Sequence, residues 1–148
     1  ISEKVSQLIL KTNFVHDLIL SSNGGVAGLR DENALDSAVN APFATFGGTY
    51  LHATPLDRAA ALMRSLSLNH PFVEGNKRVA FVTTVAFLYE EGYGLKDELS
   101  DKEIVDFCLA VAKGEKQVED ISNWLEQNAS NAEQSKVKKA LDLVSSAA

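Results

Sequence analysis

The stretch "HPFVEGNKRVAFVTTVAFLYEEG", His70 to Gly92, changes character after its ninth residue. From Val79 onward it is apolar nearly all round, which marks a helix buried at the centre of a fold. The nine residues before it hold a histidine, a carboxylate, a glycine, an amide and two cations. A connection that only turned the chain would need little beyond Gly, Ser and Asn. Pro71 belongs just past the end of a preceding helix, because it cannot continue the hydrogen-bond ladder. Gly75 and Asn76 then precede the central helix, whose first N–H groups have no intrahelical partner.

Those free donors and the positive end of the helix dipole make an anion site. Gly75, lacking Cβ, lets a phosphate approach the backbone closely. Asn76 caps the helix or donates its amide to an oxygen. Arg78 offers a planar fork to phosphate oxygens and Lys77 a point charge. A carboxylate beside phosphates implies a metal between them. Mg²⁺, held by one or two carboxylates plus phosphate oxygens, fits Glu74. His70 is the group able to take a proton from a hydroxyl near neutral pH. Taken singly, each residue has a plainer role: solvated surface for Glu74, Lys77 and Arg78, a helix terminus for His70, a cap for Asn76. Their order, which makes chemical sense only together, carries the reading. His16 and His52 lack such company, so His16 is assigned to a helix surface and His52 to a flap.

Outward from this stretch, helical periodicity dominates. "VSQLILKTNFVHDLIL" puts Val5, Leu8, Ile9, Phe14, Val15, Leu18 and Ile19 largely on one face, and Gly24-Gly25 stop it. "GLRDENALDSAV" is a short second helix with Asp31 as N-cap and Glu32 in its first turn. In "APFATFGGTYLHA" the helical pattern breaks, and Gly47-Gly48 predicts an exposed loop or small hairpin. "TPLDRAAALMRSLSLNH" opens with Thr54 as N-cap and Pro55 at the first helical position, and buries Leu56, Ala59, Ala60, Met63 and Leu66. Ser100 and Glu103 form a capping-box signature for the helix after the central one. Val118, Ile121, Trp124 and Leu125 face the core from the last. The prediction is an all-α domain over residues 1–129, with a small β-hairpin-like flap before the motif-bearing helices. A polar, then amphipathic tail follows over 130–148, with Val137, Ala140, Leu141 and Val144 at helical spacing.

Composition narrows the function. A chain of 148 residues with 45% hydrophobic and 23% charged residues is an ordinary globular domain. Its net charge of −6 argues against a nucleic-acid binder, which would present a basic stripe. Arg58, Arg64, Lys77 and Arg78 form a local positive island suited to a small polyanion. No apolar run is long enough to span a bilayer, and the first residues do not read as a signal peptide. Ile1 in place of Met leads to the expectation that a few native or tag residues precede it. The lone Cys108 lies in the apolar stretch "IVDFCLAVA" and reads as a small core residue, in keeping with a reducing cytoplasm.

"HPFVEGNKR" resembles the signature of the Fic superfamily: His-x-Phe, two further positions ending in Asp or Glu, then Gly or Ala, Asn, Gly or Lys, and Arg. The version with Lys resembles the Doc ("death on curing") branch, the toxin half of prophage and plasmid toxin–antitoxin pairs. "GGVAGLRDENALDSAVNAPFATFGG" upstream and "AFLYEEGY" downstream are similar to the same branch, and the resemblance runs from Val5 to Gln127. It implies a general base at His70, a buried loop anchor at Phe72, and Mg²⁺ on Glu74. Gly75, Asn76, Lys77 and Arg78 would cradle the phosphates of ATP. The flap from Phe46 through Gly47, Gly48, Thr49 and Tyr50 to Thr54 would align the target peptide as an added strand. Two positions depart from the pattern: Gly75 stands where the founding Doc motif has Ala, and Phe81 where many Fic enzymes carry a second Arg.

The expectation is therefore a cytoplasmic, Mg²⁺-dependent toxin that transfers phosphate from ATP to a protein hydroxyl and arrests translation. By resemblance the target would be elongation factor Tu or another translation protein. The partner would be an antitoxin whose disordered segment folds on binding, with neither nucleic acid nor membrane involved. AMP transfer is one alternative. A catalytically silent binding module is another, which loss of His70 or Glu74 would have favoured.

Overall fold

Thr54 starts the helix that carries the site, its hydroxyl accepting the Asp57 N–H at 3.1 Å, with Pro55 in the first turn. In the computed structural model, which describes residues 2–131, this helix runs Pro55–Asn69. The predicted tail from 132 onward lies outside the described residues. In chain order the elements are α1 (Glu3–Asn23), α2 (Glu32–Asn40), a 3₁₀ turn (Ala41–Phe43), β1 (Thr45–Phe46), β2 (Thr49–Tyr50) and α3 (Pro55–Asn69). They continue with α4 (Asn76–Glu90), β3 (Tyr93–Leu95), α5 (Asp101–Ala112), α6 (Val118–Asn128) and β4 (Ala129–Asn131). The all-α expectation holds and the predicted hairpin forms as β1–β2, with one further small antiparallel sheet, β3–β4, among the described residues.

The caps read from sequence form as expected. Asp31 accepts the Ala34 N–H at 3.1 Å, and Gly24 closes α1 with φ +74°. Ser100 accepts the Glu103 N–H at 3.2 Å, whereas the reciprocal capping box forms at Gln117 and Asp120. Helix α4 is central, packing against α1, α3 and α5 and burying residues from Val79 to Leu88 on more than one face. Helix α3 presents Ala59, Ala60, Leu62 and Met63, all fully buried, and packs on α4 and α6. Phe107 of α5 stacks on Trp124 of α6 with ring centroids 3.9 Å apart. Cys108 is half-buried, and burial pushes its thiol up to about 11, so it is a packing residue. Strand β4 carries Ser130 and Asn131, two residues of the predicted tail, into the sheet with Gly94 and Tyr93. No helix among the described residues is long and apolar enough to cross a membrane.

Candidate active site

Helix α3 ends at Asn69, and His70 follows as its cap in the left-handed conformation, φ 47° and ψ 58°. It is the one non-glycine among the described residues with positive φ. For an L-residue that conformation costs about 1–2 kcal/mol, so neighbouring contacts must hold it. Pro71 then prevents the helix from continuing. Phe72, 2% exposed, is the loop's anchor, and its burial is worth about 1.5–3 kcal/mol.

Asn76 fixes the loop from inside. Its side-chain oxygen accepts the Phe72 N–H at 2.9 Å, and its amide nitrogen donates to the Phe72 carbonyl at 2.8 Å. Asn76 is thus the first residue of α4 rather than its cap, and its side chain is committed to the protein. What it offers an anion is its backbone N–H. Gly75 is the cap, with φ +85° and no side-chain bond to the helix, so the first N–H groups of α4 have no intrahelical partner. An added Cβ at Gly75 would meet nothing closer than 3.8 Å. The left-handed backbone, more than crowding, therefore calls for glycine here.

His16 requires a correction. Expected on the surface of α1, it is 3% exposed. Its ring stacks on Phe72 at 3.9 Å, and its Nε2 lies 3.0 Å from the Glu74 carbonyl. A carbonyl only accepts, so Nε2 carries a proton and donates it. The signal in sequence is the spacing Leu8, Thr12, His16, which continues the buried stripe with polar residues.

A second element missing from the sequence reading is the strip from Gly24 to Asp31. It runs antiparallel to the motif through a bridge between Leu29 and Phe72, with Val73 N–H donating to the Gly28 carbonyl at 3.1 Å. The Val26 N–H donates to Oε2 of Glu74. Gly25 makes room for that carboxylate, since a Cβ there would lie 2.9 Å from Oε2. Arg30 donates from Nε to the His70 carbonyl at 2.6 Å and from Nη2 to the Asn69 carbonyl at 2.8 Å. A sequence signal existed: a cation just before Asp31 opposes the dipole of α2, so it must serve another element.

His70, Glu74, Lys77 and Arg78 are exposed, and among the described residues neither Lys77 nor Arg78 has an ion-pair partner. With Gly75, Asn76, Val73 and the end of α1 they line one cleft of about 480 Å³, a size ordinary for a small-molecule site. The six motif positions expected from sequence to do chemistry therefore do meet.

The flap lies elsewhere. Tyr50 sits under Arg58, whose guanidinium carbon is 4.7 Å from the ring centroid, and its hydroxyl is 3.3 Å from Lys4 Nζ. Lys4 precedes His16 by twelve residues of α1, about 18 Å at 1.5 Å per residue. Phe46, Gly47, Gly48, Thr49 and Tyr50 thus belong to the end of the bundle opposite His70, and no hydrogen bond links them to the motif among the described residues. His52 is there too, its carbonyl accepting from Arg58 at 3.1 Å. Phe81, at the position where the Fic resemblance has a second Arg, is partly buried and packs against the core. Ser122 of α6 donates to Asp57 at 2.7 Å and holds that carboxyl below its usual range. Asp57 is at the start of α3, again far from His70.

The Fic/DOC family profile matches residues 9–88, a span that includes the strip, the flap and the whole motif. Over 89 residues the chain is 38% identical to the protein named Toxin Doc of Mycolicibacterium smegmatis, covering 60% of this chain and 68% of that one.

Proposed function

This chain belongs to the Fic/DOC family, and on that premise we propose that it transfers the γ-phosphoryl group of ATP to a protein hydroxyl. The observation that carries this reading is the junction of α3 and α4, where an exposed histidine, a carboxylate, an uncapped helix start and two cations without an ion-pair partner among the described residues share one cleft. The His70 imidazole accepts the proton of the target hydroxyl. The hydroxyl oxygen attacks the γ-phosphorus, the bond to the β–γ bridging oxygen breaks, and ADP leaves. The α4 N–H groups, Lys77 and Arg78 balance the charge of the phosphates, since positioning and charge stabilisation dominate this chemistry.

Glu74 would hold Mg²⁺. Its Oε2 is engaged by Val26 while the exposed carboxylate keeps a second oxygen for a hard cation, and a single carboxylate beside phosphates is an ordinary Mg²⁺ donor set. The ion, when bound, neutralises phosphate charge.

The biological role we propose is that of a cytoplasmic toxin acting on the translation machinery, with elongation factor Tu as the target that the Doc resemblance implies. Control would come from an antitoxin segment, disordered alone and folding on binding. An apolar groove of about 370 Å³ beside the cleft suits it, with Phe81, Val82, Ile104, Val105 and Leu109 along its walls and Lys77 and Arg78 at its end.

AMP transfer is the second reading, because Gly75 is the residue of AMP-transferring loops. The left-handed φ of Gly75 accounts for that glycine without reference to the nucleotide, and Lys77 stands where, by the Fic resemblance, AMP-transferring loops carry Gly. Incubation with cell lysate and ATP labelled separately at the α and γ positions tests the choice. Label on protein from the γ position alone supports phosphoryl transfer, and label from the α position overturns it. Lys77→Gly is expected to lower γ labelling and admit α labelling.

A further inference from the structure

We infer that Arg30 is a positioning residue for His70, setting the direction of the imidazole through the backbone without touching the ring. Three successive carbonyls at the end of α3 are held by this one residue. Nη2 donates to Asn69 at 2.8 Å, Nε donates to His70 at 2.6 Å, and the Arg30 backbone N–H donates to Pro71 at 2.8 Å. The last carbonyls of a helix lack intrahelical donors, and the end of the dipole there favours a cation. Arg30 supplies both from another part of the chain.

The consequence falls on His70 because it is left-handed, a conformation that persists only where the surroundings over-determine it. Rotating its φ and ψ toward the ordinary regions would swing the side chain away from the cleft. The two bonds from the guanidinium flank that rotation, one on each side of the His70 Cα. The fork geometry matters as much as the charge: a lysine at the same position would keep the cation but could not span both carbonyls in a plane. Arg30 itself stays outside the cleft lined by His70, Glu74 and Lys77. Its effect should therefore fall on turnover and spare nucleotide binding.

The kinetic part of this inference rests on the transferase reading, whereas a spectroscopic part does not. In the 148-residue chain, Arg30→Lys is expected to lower kcat by on the order of 10²-fold, the scale of a misplaced catalytic group, with KM for ATP unchanged. The His70 imidazole signals in NMR spectra are expected to shift and broaden, while those of His16 and His52 stay in place. Unchanged His70 signals with unchanged kcat overturn the inference, as does a rise in KM for ATP with kcat preserved. Arg30→Ala should reproduce the Lys variant. If neither variant folds, Arg30 is a clamp for the whole domain and its specific link to His70 is wrong. If the wild type labels no protein at all, the transferase reading fails, and the His70 signals still decide the role of Arg30.

Discussion

The two ends of α3 are built in opposite ways. At its C-terminal end the loop from His70 to Val73 is tied by backbone hydrogen bonds to the Gly24–Asp31 strip, by Asn76 to the start of α4, and by His16 to α1. At its N-terminal end the β1–β2 hairpin is two residues deep on each side and carries an 81%-exposed Phe46. Its main side-chain attachments are Arg58 and Lys4 against the Tyr50 ring. The first end fixes a few polar atoms with many local constraints, as a catalytic constellation requires. The second is fastened by contacts that break at little cost, which leaves it free to adapt to a larger surface. The difference teaches that the flap and the base, joined by one helix, need not form one site in the unliganded protein.

The largest expected effect tests the first end. His70→Ala should lower transfer of label from ATP by about 10²–10⁴-fold, the contribution of a general base. The thermal midpoint should hardly change, because the side chain is exposed. Equal labelling by wild type and variant would leave the constraints around this loop without a catalytic purpose.

Next in size is Asn76→Ala. It removes both partners of the buried Phe72 backbone groups, and leaving such groups unsatisfied costs about 1–3 kcal/mol each. Urea unfolding should show a destabilisation of that order, together with weaker transfer. A variant as stable as wild type would mean that the loop is held by Phe72 burial and the strip alone.

The smallest effect belongs to the flap. Tyr50→Ala removes exposed cation–π contacts worth about 0.5–1 kcal/mol each. If the hairpin aligns the target, KM for the protein target should rise while kcat and KM for ATP hold. A fall in kcat as deep as that of His70→Ala would erase the contrast between the two ends.

Much of this molecule is written locally in its residues. The N-caps Asp31, Thr54 and Ser100 form where neighbouring residues place them. The all-round apolar sequence after Arg78 forms the central α4, and the motif gathers at one helix junction because its residues are adjacent in the chain. A helix start, a cap and an apolar period depend on neighbours within a few residues, and such signals survive without knowledge of the fold.

What tertiary structure alone decided are the pairings between distant segments. His16 meets Glu74 across 58 positions, and Arg30 meets His70 across 40. Neither pairing has a local signal strong enough to name its partner. The crossing of α1 over α4 carries His16 under the motif, and the return of the chain after Gly24 lays Arg30 along the end of α3. The same packing sets Tyr50 against Lys4 at the far end of the bundle, some 18 Å of helix from His16. Which distant residues meet follows from how buried helix faces fit together, because close packing fixes the positions of whole elements and carries their exposed side chains with them.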